Sequence, residues 1–182
     1  VDARELKKER MVKLPVVVYN RTTRQSVIQD AIQLRGSIEQ DAIAAEQAGG
    51  RYIRPIVLFQ AQPRTGDSSD ELKNVDLLSP DCSIRYIVTV NALKEGWDCP
   101  FAYILASLAN RTSTVDVEQI LGRILRQPYA RKHGAKLLNS SFVLTCSNAF
   151  HDTLDSIVAG LNNAGFSRKD YRTADTLPII ET

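Results

Sequence analysis

Two short segments of this sequence combine residue types that bind phosphate or sugar. The first runs from Gln119 to Arg126 and reads Gln-Ile-Leu-Gly-Arg-Ile-Leu-Arg. On a helix, Gln119, Arg123 and Arg126 are spaced i, i+4 and i+7 and project from one face. Arginine stays charged and binds phosphate oxygens through a planar fork, and Gly122 leaves room for a ligand to approach closely. The segment therefore predicts a polyphosphate site, with a solvated basic helix face as the alternative.

The second segment, Asn91 to Pro100, follows an apolar run and contains Gly96, Trp97 and Asp98. Gly96 permits a tight turn, and the Asp98 carboxylate could accept hydrogen bonds from a ribose or an arginine. Trp97 could stack on a base, or it could pack beneath the turn. A purely structural turn is the alternative for the whole segment.

The elements that must position these segments follow from hydrophobic patterning. Short apolar runs predict strands at 14–19, 56–61, 84–90, 103–108 and 140–146. Helical spacing of apolar residues predicts helices over 22–48, from Val117 to Leu125, and from Phe150 to Leu161. Strands that alternate with helices predict an α/β domain with a mostly parallel sheet. In such sheets ligands bind at the carboxyl ends of the strands, where Thr89 is a candidate phosphate contact or a simple strand end.

Length and composition limit the class of protein. A chain of 182 residues corresponds to about one domain. The 23 basic and 21 acidic residues give a net charge of +2, which is far from the strongly basic composition of many nucleic-acid-binding proteins. Three scattered cysteines without a CxxC pair, and two histidines, predict no metal site. The charged N-terminus and the absence of a membrane-length apolar run predict a cytoplasmic protein without a membrane anchor.

Together the two segments resemble motifs V and VI of superfamily-two helicases, which belong to the second RecA-like domain of these motors. The strings at 54–62 (RPIVLFQAQ) and 92–100 (ALKEGWDCP) are similar to the Res subunit of type III restriction enzymes and its DEAD/DEAH-box relatives. The resemblance covers residues 14–165. It leaves 1–13 as a charged N-terminal segment or linker and 166–182 as a C-terminal extension.

The resemblance implies a RecA-like, P-loop NTPase-type fold of three layers, with a mostly parallel sheet between helices. It implies that Arg123 and Arg126 reach a triphosphate across a cleft between two RecA-like domains, with Arg126 as the arginine finger. The residues implied to line the nucleotide side are Gly96, Asp98, Gln119 and Gly122. Those expected to contact nucleic acid are Phe59, Gln60, Thr89 and Trp97.

The implied function is that of the second motor domain of an ATP-dependent DNA helicase or translocase. The sequence has neither a GxxxxGK(S/T) phosphate loop nor an acidic Mg²⁺ motif, so it carries half of an ATPase site. ATP with Mg²⁺ would be bound mainly by the absent first RecA-like domain, and the isolated chain is expected to be inactive. The expected partners are that first domain, double-stranded DNA and a methyltransferase (Mod) subunit.

Two other functions stay open. One is a non-catalytic RecA-like module that binds nucleic acid or protein without hydrolysis. The other is a free-standing nucleotide-binding α/β protein, although the glycine-rich turn that such proteins use is absent from the sequence.

The stretch between the second and third predicted strands is unusually short. The resemblance implies a helix and a further strand between motifs IV and V, and the 22 residues of 62–83 are too few for both. We therefore expect that residues are missing from the sequence within 65–72.

Overall fold

The computed structural model of the chain describes Glu5 and residues 11–61, 75–89, 99–109, 121–122, 124–147, 150–163 and 165–178. Within these ranges six strands and two long helices follow one another along the chain. They are β1 (Val16–Asn20), α1 (Arg24–Gln47), β2 (Ile56–Gln60), β3 (Tyr86–Thr89), β4 (Ala102–Ser107), β5 (Ser141–Thr145), α2 (Phe150–Asn163) and β6 (Tyr171–Thr173).

The six strands form one sheet in the order β3-β2-β4-β5-β1-β6, and every neighbouring pair is parallel. Helices flank this sheet, which gives the three-layer α/β arrangement of RecA-like domains. The predicted fold class is therefore confirmed. Parallel strands need crossover connections, so the carboxyl ends of all six strands meet at one edge of the sheet.

Continuous apolar sequence explains why β2, β4 and β5 occupy the centre of the sheet. Every residue of these three strands is buried, as expected for strands that are covered on both faces. The outer strand β3 alternates instead, with Tyr86 and Val88 exposed and Ile87 buried. The five predicted strands thus correspond to β1 to β5, within a residue or two at each end.

The helix predicted over 22–48 is α1, and its two ends follow from local chemistry. The Thr23 side chain caps the N-terminus by accepting a hydrogen bond from Ser26 N at 3.0 Å. At the C-terminus Gly49 has φ +90°, and a Cβ on Gly50 would lie 2.6 Å from Ala45 O. Only glycine fits both positions, so the Gly49-Gly50 pair stops the helix there.

Residues 166–182, expected to be an extension of the domain, contribute a sixth strand as far as they are described. β6 pairs with β1 in parallel over Tyr171–Thr173. It has three residues and no apolar run, so no periodicity could have predicted it. A capping box between Ser167 and Asp170 turns the chain into this strand. No helix in the described part of the chain is long and apolar enough to cross a bilayer.

Candidate nucleic-acid and phosphate sites

A row of polar residues runs across the carboxyl edge of the sheet. Gln60 pairs with Thr89 on one side and with Ser107 on the other, and these are terminal residues of their strands. Thr145 then pairs with Ser107 and with Asn20, again at strand ends. The five residues, in the order Thr89, Gln60, Ser107, Thr145 and Asn20, are called the polar row below.

The side chains of the polar row point to the same face of the sheet, because directly paired residues of adjacent strands do so. With about 4.8 Å between strands, the row is about 19 Å long. Tyr86 lies three positions before Thr89 and therefore faces the other way. The Arg35 guanidinium of α1 lies 5.6 Å from the centre of the Tyr86 ring, so α1 covers the opposite face from the polar row.

One member of the polar row has an unmet hydrogen-bonding requirement. The Thr145 hydroxyl oxygen accepts from Ser147 N at 3.3 Å. Gln60 is only 6% exposed, and its Oε1 has no hydrogen-bond partner. An unpartnered buried acceptor costs about 1–3 kcal/mol, a cost that Gln60 shares with the buried Gln127 Oε1 and Arg35 Nε.

The prediction that Phe59 contacts nucleic acid is not supported by its position. Phe59 precedes Gln60 on β2 and therefore points to the α1 face of the sheet. It is 8% exposed and its ring lies 6.2 Å from that of Tyr86, so it belongs to the core. Its predicted contact with nucleic acid stays a prediction, as do those of Gln60 and Thr89, which pair across β2 and β3.

Arg126 is not on the helix face that the i, i+4, i+7 spacing predicts. Residues 121–122 and 124 are helical, and Leu125 N donates to Leu121 O, but Arg126 forms an isolated antiparallel bridge with Val12. The chain becomes extended there because Gln127 N donates to Met11 O at 2.8 Å. Arg126 is exposed and lies beyond the helical residues of its segment.

The bridge also places Arg126 at the amino edge of the sheet. The sequence predicts ligand binding at the opposite, carboxyl edge. Val12 comes just before β1, and the neighbouring Lys13 contacts the carbonyls of Pro100 and Ala102 at the start of β4. Five-residue strands are roughly 16 Å long. The polar row and the Arg126 backbone therefore lie at opposite ends of the strands.

A tightly bonded loop follows Arg126. Asn139 is its hub, because its side chain accepts from Gln127 Nε2 and His133 N and donates to the carbonyls of His133 and Ala135. Within this loop Tyr129 and Ala130 have φ of 59° and 50°. Each such residue costs about 1–3 kcal/mol and persists only where the surroundings hold it. Nothing in the sequence pattern singles out Asn139, which binds residues four to twelve positions away.

The pH dependence of stability provides a test of this loop. His133 Nε2 lies 3.0 Å from Pro128 O, so the ring is hydrogen-bonded within the loop. Burial lowers the pKa of His133 below its ordinary 6.5; the bond to Pro128 opposes this shift, and the charges of Arg131 and Lys13 add to it.

Because the folded pKa is the lower one, the unfolded chain binds the proton more readily. Stability should therefore fall as pH drops below about 6.5, and the loss should level off below the folded pKa. Urea unfolding between pH 7.5 and 5 measures this, and His133→Gln should flatten that part of the profile. An unchanged profile in the variant would contradict the assignment.

The remaining predicted site residues fall mostly outside the described ranges. These are Gly96, Trp97, Asp98, Gln119 and Arg123, as well as the segment 65–72 in which residues were expected to be missing. Gly122 is described and exposed, and a Cβ built on it would have no neighbour within 4 Å. The space beside it is open, as a close ligand approach requires.

No described group of three or more His, Cys, Asp or Glu side chains is arranged to hold a metal ion. Comparison of the sequence with protein-family models and with the curated proteins found no match. The chemistry of the polar row and of Arg126 is therefore the basis on which a function can be assigned.

Proposed function

We propose that this chain is the second motor domain of an ATP-dependent DNA helicase or translocase, of the kind found in the Res subunit of type III restriction enzymes. The observation that carries the proposal is the polar row, with the buried, unpartnered oxygen of Gln60 in it. The resemblance of the sequence to motifs V and VI supports it. The working partners would be a first RecA-like domain, double-stranded DNA and a Mod methyltransferase subunit, in the cytoplasm.

The chemistry of the polar row suits a nucleic-acid strand. Side chains of Ser, Thr, Asn and Gln bind phosphate and sugar oxygens and fix the register of a protein on DNA. Thr89 and Asn20, about 19 Å apart at the two ends of the row, are accessible to a DNA strand, whereas Gln60, Ser107 and Thr145 are buried between them. The Gln60 amide oxygen is buried, so it could accept from a base amino group only after the side chain turns outward.

Arg126 suits the ATP-hydrolysing part of the proposed function. Its side chain is exposed on a segment whose backbone is fixed by two hydrogen bonds to residues 11–13. A guanidinium held in this way can bind the oxygens of a triphosphate presented by another domain. Bound ATP with Mg²⁺ would supply the phosphoryl group, and Arg126 would stabilise the negative charge that develops on it.

The opposite positions of the two sites have a mechanistic consequence. Nucleic acid on the carboxyl edge and a nucleotide beside Arg126 can be bound at the same time without competing for side chains. Closure of the two domains around the nucleotide would carry the polar row with it, and opening would release it. Alternation of these states would move the domain along DNA.

A substitution that separates function from stability tests the polar row. Gln60→Met removes the unpartnered acceptor, so the free energy of unfolding should stay the same or rise. In the full-length protein the DNA concentration for half-maximal ATP hydrolysis should rise about tenfold, the equivalent of one lost hydrogen bond. Titration with duplex DNA and urea unfolding measure the two quantities.

Gln33→Met, which changes an exposed glutamine of α1, is the matched control and should alter neither quantity. A Gln60→Met protein with unchanged DNA dependence would exclude the polar row from the interface. DNA binding by a full-length wild-type protein that hydrolyses no ATP would favour the non-catalytic module. Reproducible ATP hydrolysis by the isolated chain would contradict the prediction that it carries only half of an ATPase site.

A further inference from the structure

Lys13 is a fully buried cation at the amino edge of the sheet, within the part of the chain that the sequence predicts to be a charged N-terminal segment or linker. Its ammonium donates to Pro100 O at 2.9 Å and to Ala102 O at 2.7 Å. It also lies 4.1 Å from the centre of the Tyr103 ring. The Lys13 side chain thus holds residues 100–102, at the start of β4.

The backbone of the same residue holds the Arg126 segment. Lys13 N donates to Leu125 O at 2.6 Å, and Gln127 N donates to Met11 O at 2.8 Å. These two bonds lie on either side of Arg126. The side chain of Lys13 therefore holds residues 100–102, which follow motif V in the sequence. The main chain of the same residue holds the end of motif VI.

We infer that Lys13 is a positioning residue that couples the segment 99–102 to the backbone of Arg126. The role of Arg126 in this inference rests on the proposed function. The coupling itself rests only on the contacts that Lys13 makes. A displacement of residues 99–102 would move the Lys13 ammonium, and the paired main chain would carry Arg126 with it.

The choice of lysine is the physical reason to assign this role. Burying an ammonium removes its hydration, a cost that an apolar side chain of similar length avoids. Methionine would pack in the same space beside Tyr103 without that cost. What lysine adds is two directed hydrogen bonds that fix residues 11–13 relative to residues 100–102.

Amide hydrogen exchange on the chain itself tests the coupling without any activity measurement. Lys13→Met should speed exchange of the Gln127 amide at least tenfold, because the segment that accepts its hydrogen bond loses its anchor. Arg35→Met is the matched control, since Arg35 is also buried and charged but contacts Glu39 and Pro55 instead. Equal exchange of Gln127 in the two variants would overturn the inference.

The full-length protein gives the second measurement. Lys13→Met should lower kcat for DNA-stimulated ATP hydrolysis about tenfold and leave KM for ATP within twofold, a split that general destabilisation would not produce. A kcat equal to that of wild type, in a protein that Arg126→Ala inactivates, would overturn the coupling. If wild type shows no DNA-stimulated hydrolysis, the proposed function fails, and the Gln127 exchange still decides whether Lys13 anchors the segment.

A milder variant covers the case in which Lys13→Met does not fold. The Ser141 hydroxyl donates to Lys13 O at 3.0 Å, so Ser141→Ala loosens the same segment and leaves the ammonium in place. It should speed Gln127 exchange in the same direction by a smaller factor, about threefold. Exchange at the wild-type rate in a folded Ser141→Ala chain would count against the inference.

Discussion

Arg126→Ala in the full-length protein is expected to lower kcat for DNA-stimulated ATP hydrolysis by about a thousandfold, the effect of losing an arginine finger. Stability should hardly change, because the bridge to Val12 uses the main chain, which alanine keeps. Because the Arg126 side chain is exposed, the change in the free energy of unfolding should stay below about 1 kcal/mol. Steady-state and single-turnover hydrolysis, with urea unfolding of the same samples, measure both quantities.

Two further variants define what Arg126 contributes. Arg126→Lys keeps the charge and loses the planar fork, so its activity should lie between those of wild type and Arg126→Ala. Arg131→Ala removes an exposed arginine five residues later and should leave kcat within twofold. If Arg126→Ala hydrolyses ATP within threefold of wild type, Arg126 is not an arginine finger, and another group must stabilise the triphosphate.

The position of Arg126 could not have been predicted from local sequence. Helical spacing extends through Leu125, and Pro128 signals a helix end nearby, but no local signal predicts the extended bridge at Arg126. The helix ends because the main chain of 125–127 pairs with residues 11–13, more than a hundred residues earlier in the sequence. A contact between residues so far apart in the sequence produces no periodic pattern of apolar residues.

The strands show the opposite case. The runs at 56–61 and 140–146 have consecutive apolar residues, Ile56 to Phe59 and Phe142 to Leu144, and burial on both faces of a parallel sheet demands that pattern. Local sequence therefore suffices to predict β2 and β5. The polar row is different, because Gln60 and Thr145 become members of one feature only through the strand order and register, which no single segment encodes.

Arg54 illustrates a residue whose role only the structure reveals. It belongs to the string at 54–62 that carries the resemblance, where a phosphate-binding arginine would be a reasonable interpretation. It is instead 1% exposed, and its guanidinium donates to the carbonyls of Leu77, Ser79 and Ile84 at 2.5 to 2.9 Å. Arg54 therefore anchors the loop that leads into β3.

Arg54→Met should lower the free energy of unfolding by about 3–5 kcal/mol, because it leaves three carbonyls of that loop without their donor. Urea unfolding at pH 7 measures the loss. Arg85→Met is the matched control; the Arg85 side chain is 39% exposed and contacts Glu39 at 3.5 Å, so the loss there should stay below about 1 kcal/mol.

The same substitution links stability to the proposed interface. β3 lies at the end of the sheet order and has β2 as its one neighbour among the described strands, so the loop held by Arg54 is its main attachment on the amino side. Loosening it should speed amide exchange in β3 more than in the central strand β4. Thr89 would then lose its fixed place beside Gln60, and DNA-stimulated hydrolysis in the full-length protein should weaken with it. Equal exchange in β3 and β4 would show that Arg54 stabilises the whole sheet and does not hold one end of the polar row.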